Sequence, residues 1–539
     1  MDETVALVKR SLDPDNCETF DRRVEAEAAY LREELRSGRL DNADPAVGME
    51  LECYAVDSEG RLAAVPEAVL KETPVNAELG VHNVEVNTDP DLLPEGIERQ
   101  ATAIREQFAA AEERSDHRRI VLDAMWTIPP AEGTREYLSA IEKREGVVFA
   151  ENMKSSARYH ALDNDILRHA GGEIELDVPG ATVSVPTILI ESLATSIQPH
   201  LQVPDVSEFP AYHGAAVRTL GPVLALATNS PFLPADLYED VDPDRLLAET
   251  HHELRVAVFE QSINAGQSPG KVRFPEDVEA PAEVVDHVTD DRTLAAFLEE
   301  WVKGGDGTGG EGGDRTGDEG GSDEDEEAAF ADAFWQFGHK HGTYWRWLRG
   351  VIGGDHIGPD NTERSLRIEY RPLPTQPSVT DIVGFQALVT GLLRELVAED
   401  HPLVDLDHDL AEASFYNAVA EGLDAELHWV TASGEHTTDL DRICDELFDL
   451  ARAGLANAGV EAGTIDRYLG AIEHRWTEGR TPSDWKIDRV RAELDAGADL
   501  IEAIPAMQRS YFDRCGTPFA EWPDPDAESA HGADTPGDE

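Results

Sequence analysis

Lysine is scarce in this sequence, and positive charge as a whole is in short supply. Lysine occurs at only eight of 539 positions, and 45 basic residues face 109 acidic ones, for a formal net charge of −64. Nucleic acids and anionic membranes bind proteins through neutralising cations, so the composition argues against both as partners. An acidic excess spread along the chain also repels itself unless salt screens it. It indicates a halophilic protein, as in the cytoplasm of haloarchaea; the alternative is an acidic surface that keeps anionic partners away.

Cysteine and long apolar runs are equally scarce. The four cysteines are scattered without the C-x-x-C spacing of zinc sites, which argues against a disulfide scaffold or a metal–thiolate centre. The N-terminal residues lack the apolar core of a signal peptide, and no stretch approaches the ~20 apolar residues of a membrane span. We therefore expect a cytoplasmic protein. No G-x-x-x-x-G-K-[ST] loop is present, so a nucleotide would have to be held in another way.

The order of sequence patterns predicts an α+β protein. Helical spacing over residues 8–40 predicts an N-terminal helical extension, 1–44, ahead of a catalytic domain at 45–510. Alternating strands follow in GMELECYAVD and VHNVEVNTDP, whereas residues 380–510 read as helices. Residues 304–327, rich in glycine and acid, are expected to be a disordered insertion, and 511–539 an acidic tail.

Two predicted strands carry pairs of polar residues at alternate positions. Glu50 and Glu52 share one face of the first strand, with carboxylates roughly 6–7 Å apart. Carboxylates in such an arrangement repel unless a cation lies between them, and Mg²⁺ favours oxygen ligands of this kind. Glu85 and Asn87 form a second pair. Taken alone, the first pair is more often explained by a solvent-exposed face, and the second is explained equally well by an edge strand that runs into a turn.

Two further segments place polar groups on a strand face. Gln198 and His200 alternate in SIQPHLQV, and neutral imidazole can join carboxylates around a metal. The segment RIEYR places Arg367, Glu369 and Arg371 at alternate positions. They could form a row of cross-strand salt bridges, or the two guanidinium groups could bind phosphate on either side of an ionised carboxylate.

Asn229, in the helix stop ATNSPF, could reach a ligand or could simply cap the helix. Taken together, these segments predict a sheet face that displays carboxylates, one histidine and several arginines. Such a face suits an ATP-dependent ligase, in which cations clamp the phosphates and arginine neutralises the transferred phosphoryl group.

The motifs GMELECYAVD, NVEVNTDP, SIQPHLQV, LALATNSPF, RIEYRPLPTQPSVTDIVGFQALV and FYNAVAEGLDAEL, in this order, resemble the prokaryotic and plant-type glutamate–cysteine ligases. The resemblance covers roughly residues 45–490. It implies a curved, mainly antiparallel sheet of glutamine synthetase type, backed by helices, that holds ATP and Mg²⁺. The first motif, G-M-E-L-E-C, lacks the further acidic or aromatic residue that often follows the pair in that family.

The resemblance also implies roles for the residues described above. The metal ligands would be Glu50, Glu52, Glu85, His200 and Glu369; Arg371 and Arg367 would act in catalysis; Asn87, Gln198 and Asn229 would contact substrate or nucleotide. The implied reaction phosphorylates the γ-carboxylate of glutamate and joins it to the amine of cysteine, with small molecules as the only partners. A different amine, a non-catalytic binding homologue or a guanidino kinase are the alternatives. The oligomeric state is not predicted.

Overall fold

One long central strand organises the main sheet of the computed structural model, which describes residues 3–42, 44–302, 330–353 and 364–523. The strands, in chain order, are β1 (Ala46–Val56), β2 (Val75–Ala77), β3 (Asn83–Asn87), β4 (Asp91–Leu92), β5 (Arg119–Val121), β6 (Ile141–Arg144), β7 (Val147–Ala150), β8 (Ile174–Val178), β9 (Ala181–Val185), β10 (Ile197–Gln202), β11 (Leu348–Gly353), β12 (Ser365–Tyr370), β13 (Trp429–Val430) and β14 (His436–Thr437).

The helices account for most of the remaining described chain. In chain order they are α1 (Glu3–Ser11), α2 (Pro14–Arg36), α3 (Glu67–Glu72), α4 (Gly96–Arg114), α5 (Thr134–Ser139), α6 (Ala157–Ala170), α7 (Phe209–Ala227), α8 (Pro243–Glu249), α9 (Leu254–Ile263), α10 (Glu283–Asp290), α11 (Glu299–Val302), α12 (Trp335–His341), α13 (Val379–Ala398), α14 (His408–Glu421), α15 (Leu440–Asn457), α16 (Ala462–Thr477), α17 (Pro482–Asp495) and α18 (Leu500–Phe512).

The main sheet is eight-stranded and antiparallel. Its strand order is β11-β12-β10-β1-β3-β2, and the short strands β4 and β5 also pair with β1. The predicted α+β class, the antiparallel sheet and the helical C-terminal part are therefore confirmed.

The two faces of β1 differ in the way that its alternation predicts. Met49, Leu51 and Cys53 are fully buried, whereas Glu50 and Glu52 between them retain partial exposure. Helices α7 and α13, both apolar over most of their surface, pack against β10 and its neighbours in the sheet. The helices thus cover the apolar side, and the polar side is left open for chemistry.

The predicted N-terminal helix over residues 8–40 is two helices. Asp13 begins α2 as its N-cap, accepting a hydrogen bond from the backbone N–H of Asp15, and Pro14 occupies the first helical turn. Helix α2 packs on α10 and α12, and α1 packs on α6.

At the C-terminal end, α18 runs past the predicted boundary at residue 510, and Phe519 and Trp522 beyond it are buried. The predicted insertion, 304–327, and residues 524–539 of the predicted tail lie outside the described residues. Among the helices that are described, none combines the length and apolarity required to span a bilayer.

Candidate active site

The pairing register of β1 brings the predicted polar residues onto one face of the sheet. Glu50 lies opposite Gln198 of β10 on one side and opposite Asn87 of β3 on the other, and Glu52 lies opposite Glu85. Directly opposed residues of antiparallel strands point to the same face. Four segments that are far apart in sequence therefore contribute to one surface, which we call the carboxylate face (Glu50, Glu52, Glu85, His200 and Glu369).

Three members of the carboxylate face form a compact group of metal-ligand types. His200 of β10 pairs with Glu369 of β12, and its Nε2 lies 3.6 Å from Glu50 Oε1 and 3.9 Å from Glu369 Oε2. The three side chains can each offer a ligand atom within 4.8 Å of the others. Two carboxylates and an imidazole at this spacing fit a divalent cation.

Two arginines hold Glu369 in place. Arg349 of β11 donates from Nε to Glu369 Oε1 at 3.0 Å, and Arg371 donates to the same oxygen and to Gln198 Oε1. Burial favours the protonated form of Glu369, but the two guanidinium groups outweigh burial and hold the pKa of this carboxyl well below its usual range. Glu369 is thus ionised and fixed, as a metal ligand requires.

The other carboxylates of the face repel one another. Burial, followed by the charge of Glu369, raises the pKa of Glu50 to about 7; burial, followed by Glu78, raises the pKa of Glu52 to about 7. Burial and three neighbouring glutamates raise the pKa of Glu85 well above its usual value. A bound cation would offset this repulsion between carboxylates. The set of donors is therefore suited to binding one or more divalent cations.

Three further predicted residues, Glu52, Arg367 and Asn87, lie on the strands around this group. Glu52 accepts hydrogen bonds from the backbone N–H and the hydroxyl of Ser196, at 2.7 and 3.2 Å. Arg367 lies opposite Gln202, two residues before Glu369 on β12, and its charge acts on Glu50. Asn87 is exposed at the end of β3 and donates to Glu85 Oε2 at 3.2 Å.

Asn229 is the predicted residue that does not lie on the carboxylate face. It follows the C-terminal end of α7 and is fully buried, and its side-chain amide donates to Thr375 O at 2.8 Å and to the Tyr511 hydroxyl at 2.9 Å. The backbone carbonyl of Asn229 accepts from Lys486 Nζ at 2.7 Å. Thr375 in turn donates to the backbone carbonyl of Glu52. Asn229 therefore supports β1 from behind.

The structure adds functional candidates that the sequence analysis missed. Glu52 and Arg371 line a small cavity beside the carboxylate face together with Glu191, Arg255, Phe259 and Trp347. Burial, then the charges of Glu52 and Glu78, raises the pKa of Glu191 well above its usual value. A bound ammonium would favour the ionised form of Glu191, and a guanidinium and a carboxylate in one cavity then suit the charged groups of an amino acid.

Of the site residues that the sequence did not predict, Arg349 had a usable sequence signal. It lies between Leu348 and Gly350 in WLRGVIGG, a short strand-like segment that precedes RIEYR in the sequence. Glu191 and Arg255 lie in a 3₁₀ turn and at the start of a helix, where no periodic pattern identifies a site.

Comparisons with known proteins identify a family and a similar fold. The profile of Glutamate-cysteine ligase family 2 (GCS2) matches residues 46–506. Among solved structures, the chain is similar to a glutamate–cysteine ligase from Francisella tularensis in complex with AMP, with 14% identity and a TM-score of 0.50 over 93% of this chain and 96% of that one. A bifunctional glutathione synthetase from Pasteurella multocida has 15% identity and a TM-score of 0.45 over 88% of this chain and 53% of that one. A search of curated protein sequences gave no match. The likeness to the Francisella tularensis structure shows the fold alone, whereas the profile spans most of the chain.

Proposed function

The chain belongs to glutamate–cysteine ligase family 2, and we propose that this carboxylate–amine ligase joins the γ-carboxylate of glutamate to the amine of cysteine, using ATP and Mg²⁺. The observation that carries the proposal is the grouping of Glu50, His200 and Glu369 beside Arg349 and Arg371 on one sheet face. Metal ligands next to fixed guanidinium groups suit phosphoryl transfer, which is catalysed by charge neutralisation and alignment.

The proposed reaction has two steps. A γ-carboxylate oxygen of glutamate attacks the γ-phosphorus of ATP, the bond from that phosphorus to the β,γ-bridging oxygen breaks, and ADP leaves. The amine nitrogen of cysteine then attacks the acyl carbon of γ-glutamyl phosphate, phosphate leaves, and the nitrogen loses a proton. Divalent cations, when bound, neutralise the phosphate oxygens during the first step.

The protein's own residues supply position and charge. Glu50, Glu52, Glu85, His200 and Glu369 are the residues proposed to hold the cations, and Arg371, fixed by Gln198 and Glu369, is proposed to face the transferred phosphoryl group. Arg255 and Glu191 in the adjoining cavity are suited to the α-carboxylate and α-ammonium of glutamate. Such a placement would leave the γ-carboxylate directed towards the carboxylate face.

None of the four cysteines is needed as a nucleophile in this reaction. Cys53 lies on the buried side of β1, and burial raises the pKa of the Cys53 thiol above its usual range, which is unfavourable for a thiolate. The acyl intermediate of the proposal is therefore carried by phosphate and not by the protein.

The test is release of ADP by purified protein in concentrated KCl with ATP and Mg²⁺. We expect release only when glutamate and cysteine are both present, with γ-glutamylcysteine identified by mass. Hydroxylamine in place of cysteine should trap the acyl phosphate as glutamyl hydroxamate. A panel of other amino acids and amines tests the alternative acceptor: a hydroxamate without γ-glutamylcysteine would reject cysteine but retain the ligase chemistry. No hydroxamate and no amine-dependent ADP release would refute the proposal.

A further inference from the structure

Arg158 lies in the first turn of α6, on a segment that runs beside the residues following the edge strand β2 and for which the sequence predicted no role. The chain before it runs beside the residues that follow β2: Met153 forms a β-bridge with Gly80, and the Lys154 N–H donates to Leu79 O at 2.8 Å. This pairing delivers Arg158 into the first turn of α6, next to the sheet edge.

Among the described residues, Glu78 is the carboxylate whose charge acts on Arg158. Its neighbour Tyr159 donates a hydrogen bond to Glu78 Oε1 at 2.8 Å, and the negative charge of Glu78 acts on Arg158. Glu78 also raises the pKa values of Glu52 and Glu85, after burial. Arg158 therefore shares its electrostatic environment with two members of the carboxylate face.

On its other side Arg158 meets the turn that follows α12. A Cβ atom added at Gly342 would collide with the Arg158 guanidinium, so glycine permits the close approach. The same turn holds Arg349, because His341 O and Tyr344 O accept from Arg349 Nη1 at 3.0 and 3.3 Å. The turn that follows α12 therefore contacts two guanidinium groups. One of them, that of Arg349, donates to Glu369, and the other is that of Arg158.

Arg158 differs from the other arginines of the site because no carboxylate of the described residues forms an ion pair with it. Arg255, Arg349 and Arg371 each donate to a glutamate side chain. Across residues 3–42, 44–302, 330–353 and 364–523, Arg158 makes neither a hydrogen bond nor an ion pair, although it is half-buried. Glu78 acts on Arg158 without forming a hydrogen bond or an ion pair with it. Desolvating a guanidinium that has no hydrogen-bonded anion costs free energy, and a ligand oxyanion would offset that cost.

We propose that Arg158 binds an oxyanion of a substrate at the rim of the site, an inference that rests on the proposed function. The two oxyanions available to a carboxylate–amine ligase are a phosphate group of the nucleotide and a carboxylate of the amino acid. A planar guanidinium can bind either through two parallel hydrogen bonds.

The test measures binding separately from turnover. Equilibrium affinities of the Arg158→Met protein for Mg²⁺–ADP and for glutamate are compared with those of the unaltered protein. Loss of one charged hydrogen-bond donor should weaken one of the two by about tenfold or more. Arg245→Met is the matched control, because Arg245 is exposed on α8 and pairs with Glu249 four residues on. A weaker affinity for ADP assigns Arg158 to phosphate, and a weaker affinity for glutamate assigns it to carboxylate.

A second variant keeps the charge and moves it. Gly342→Ala should displace the guanidinium and weaken the same affinity, and adding it to Arg158→Met should cause no further loss, because the collision needs the arginine. Unchanged affinities for both ligands in Arg158→Met would overturn the inference. A protein that binds ADP but forms no glutamyl hydroxamate and shows no amine-dependent ADP release would refute the proposed function and still allow this test.

Discussion

Replacing Glu369 by glutamine separates its role as a metal ligand from its role as the partner of two arginines. The side chain is 2% exposed, and it accepts hydrogen bonds from both Arg349 and Arg371. Glu369→Gln removes the negative charge without changing the size of the side chain. Two guanidinium groups are then left facing each other without the anion between them, and the cation site loses its most firmly ionised ligand.

Two effects of different size follow. Removing one partner from a buried ion pair typically costs ~3–5 kcal/mol, so we expect a lower free energy of unfolding. Loss of preorganised charge at the reacting phosphate lowers kcat/KM by ~100- to 1,000-fold, and the Mg²⁺ concentration for half-maximal activity should rise. The assay is ADP release over a Mg²⁺ titration, with urea unfolding of the same samples. Glu175→Gln, at an exposed position of β8, is the matched control.

A double variant decides between the two roles. Glu369→Gln combined with Arg349→Gln removes one positive charge along with the negative one, so most of the lost stability should return while activity stays low. Recovery of activity together with stability would refute the reasoning, because Glu369 would then matter only as a counter-charge. An unchanged Mg²⁺ requirement in the single variant would refute it as well.

Three further predictions concern stability. Lys486→Met removes the ion-pair partner that lies 2.6 Å from the buried Asp123 carboxylate, and it should lower the free energy of unfolding in urea by ~3–5 kcal/mol. Lys71→Met, at an exposed ion pair, should leave that free energy nearly unchanged. Burial raises the pKa of Glu27 to about 7, above its value in the unfolded chain. The contribution of protonated Glu27 to the free energy of unfolding is therefore complete below pH ~4.5 and is lost as the pH rises through ~7. Glu27→Gln should flatten that part of the plot of unfolding free energy against pH, and an unaltered plot would contradict this prediction. The net charge of −64 predicts a melting temperature that rises from ~0.1 M to ~1 M KCl, as the screening length falls from ~10 to ~3 Å; equal melting temperatures would contradict it.

Local patterns predicted those parts of the site that depend on strand alternation. Glu50 and Glu52 share a face because a strand has a period of two residues, and the same rule identified Gln198 with His200 and Arg367 with Glu369. Their meeting on one surface depends on register, which places His200 opposite Glu369 and Glu50 opposite Asn87. No local pattern specifies which strands pair, and that part of the expectation came from the order of the motifs.

Residues outside strands could not be found in this way. Asn229 lies in a helix-stop motif, and its contacts with Thr375 and Tyr511 come from segments about 150 to 280 residues away in sequence. Glu191 and Arg255 reach the cavity from a turn and from the start of a helix. Their positions follow from long-range packing, which strand alternation and helical periodicity cannot predict.

Long-range packing also connects the N-terminal helices to the carboxylate face. Glu27 of α2 accepts the backbone N–H of Phe337 at 2.7 Å, so it satisfies a free amide at the start of α12. At the other end of α12, His341 O holds Arg349, which in turn holds Glu369. Residues 3–36 lie outside the span that the family profile matches, and helical periodicity alone described them as an extension. Because each contact in this series fixes the next, we infer that these helices help to set the position of a proposed metal ligand.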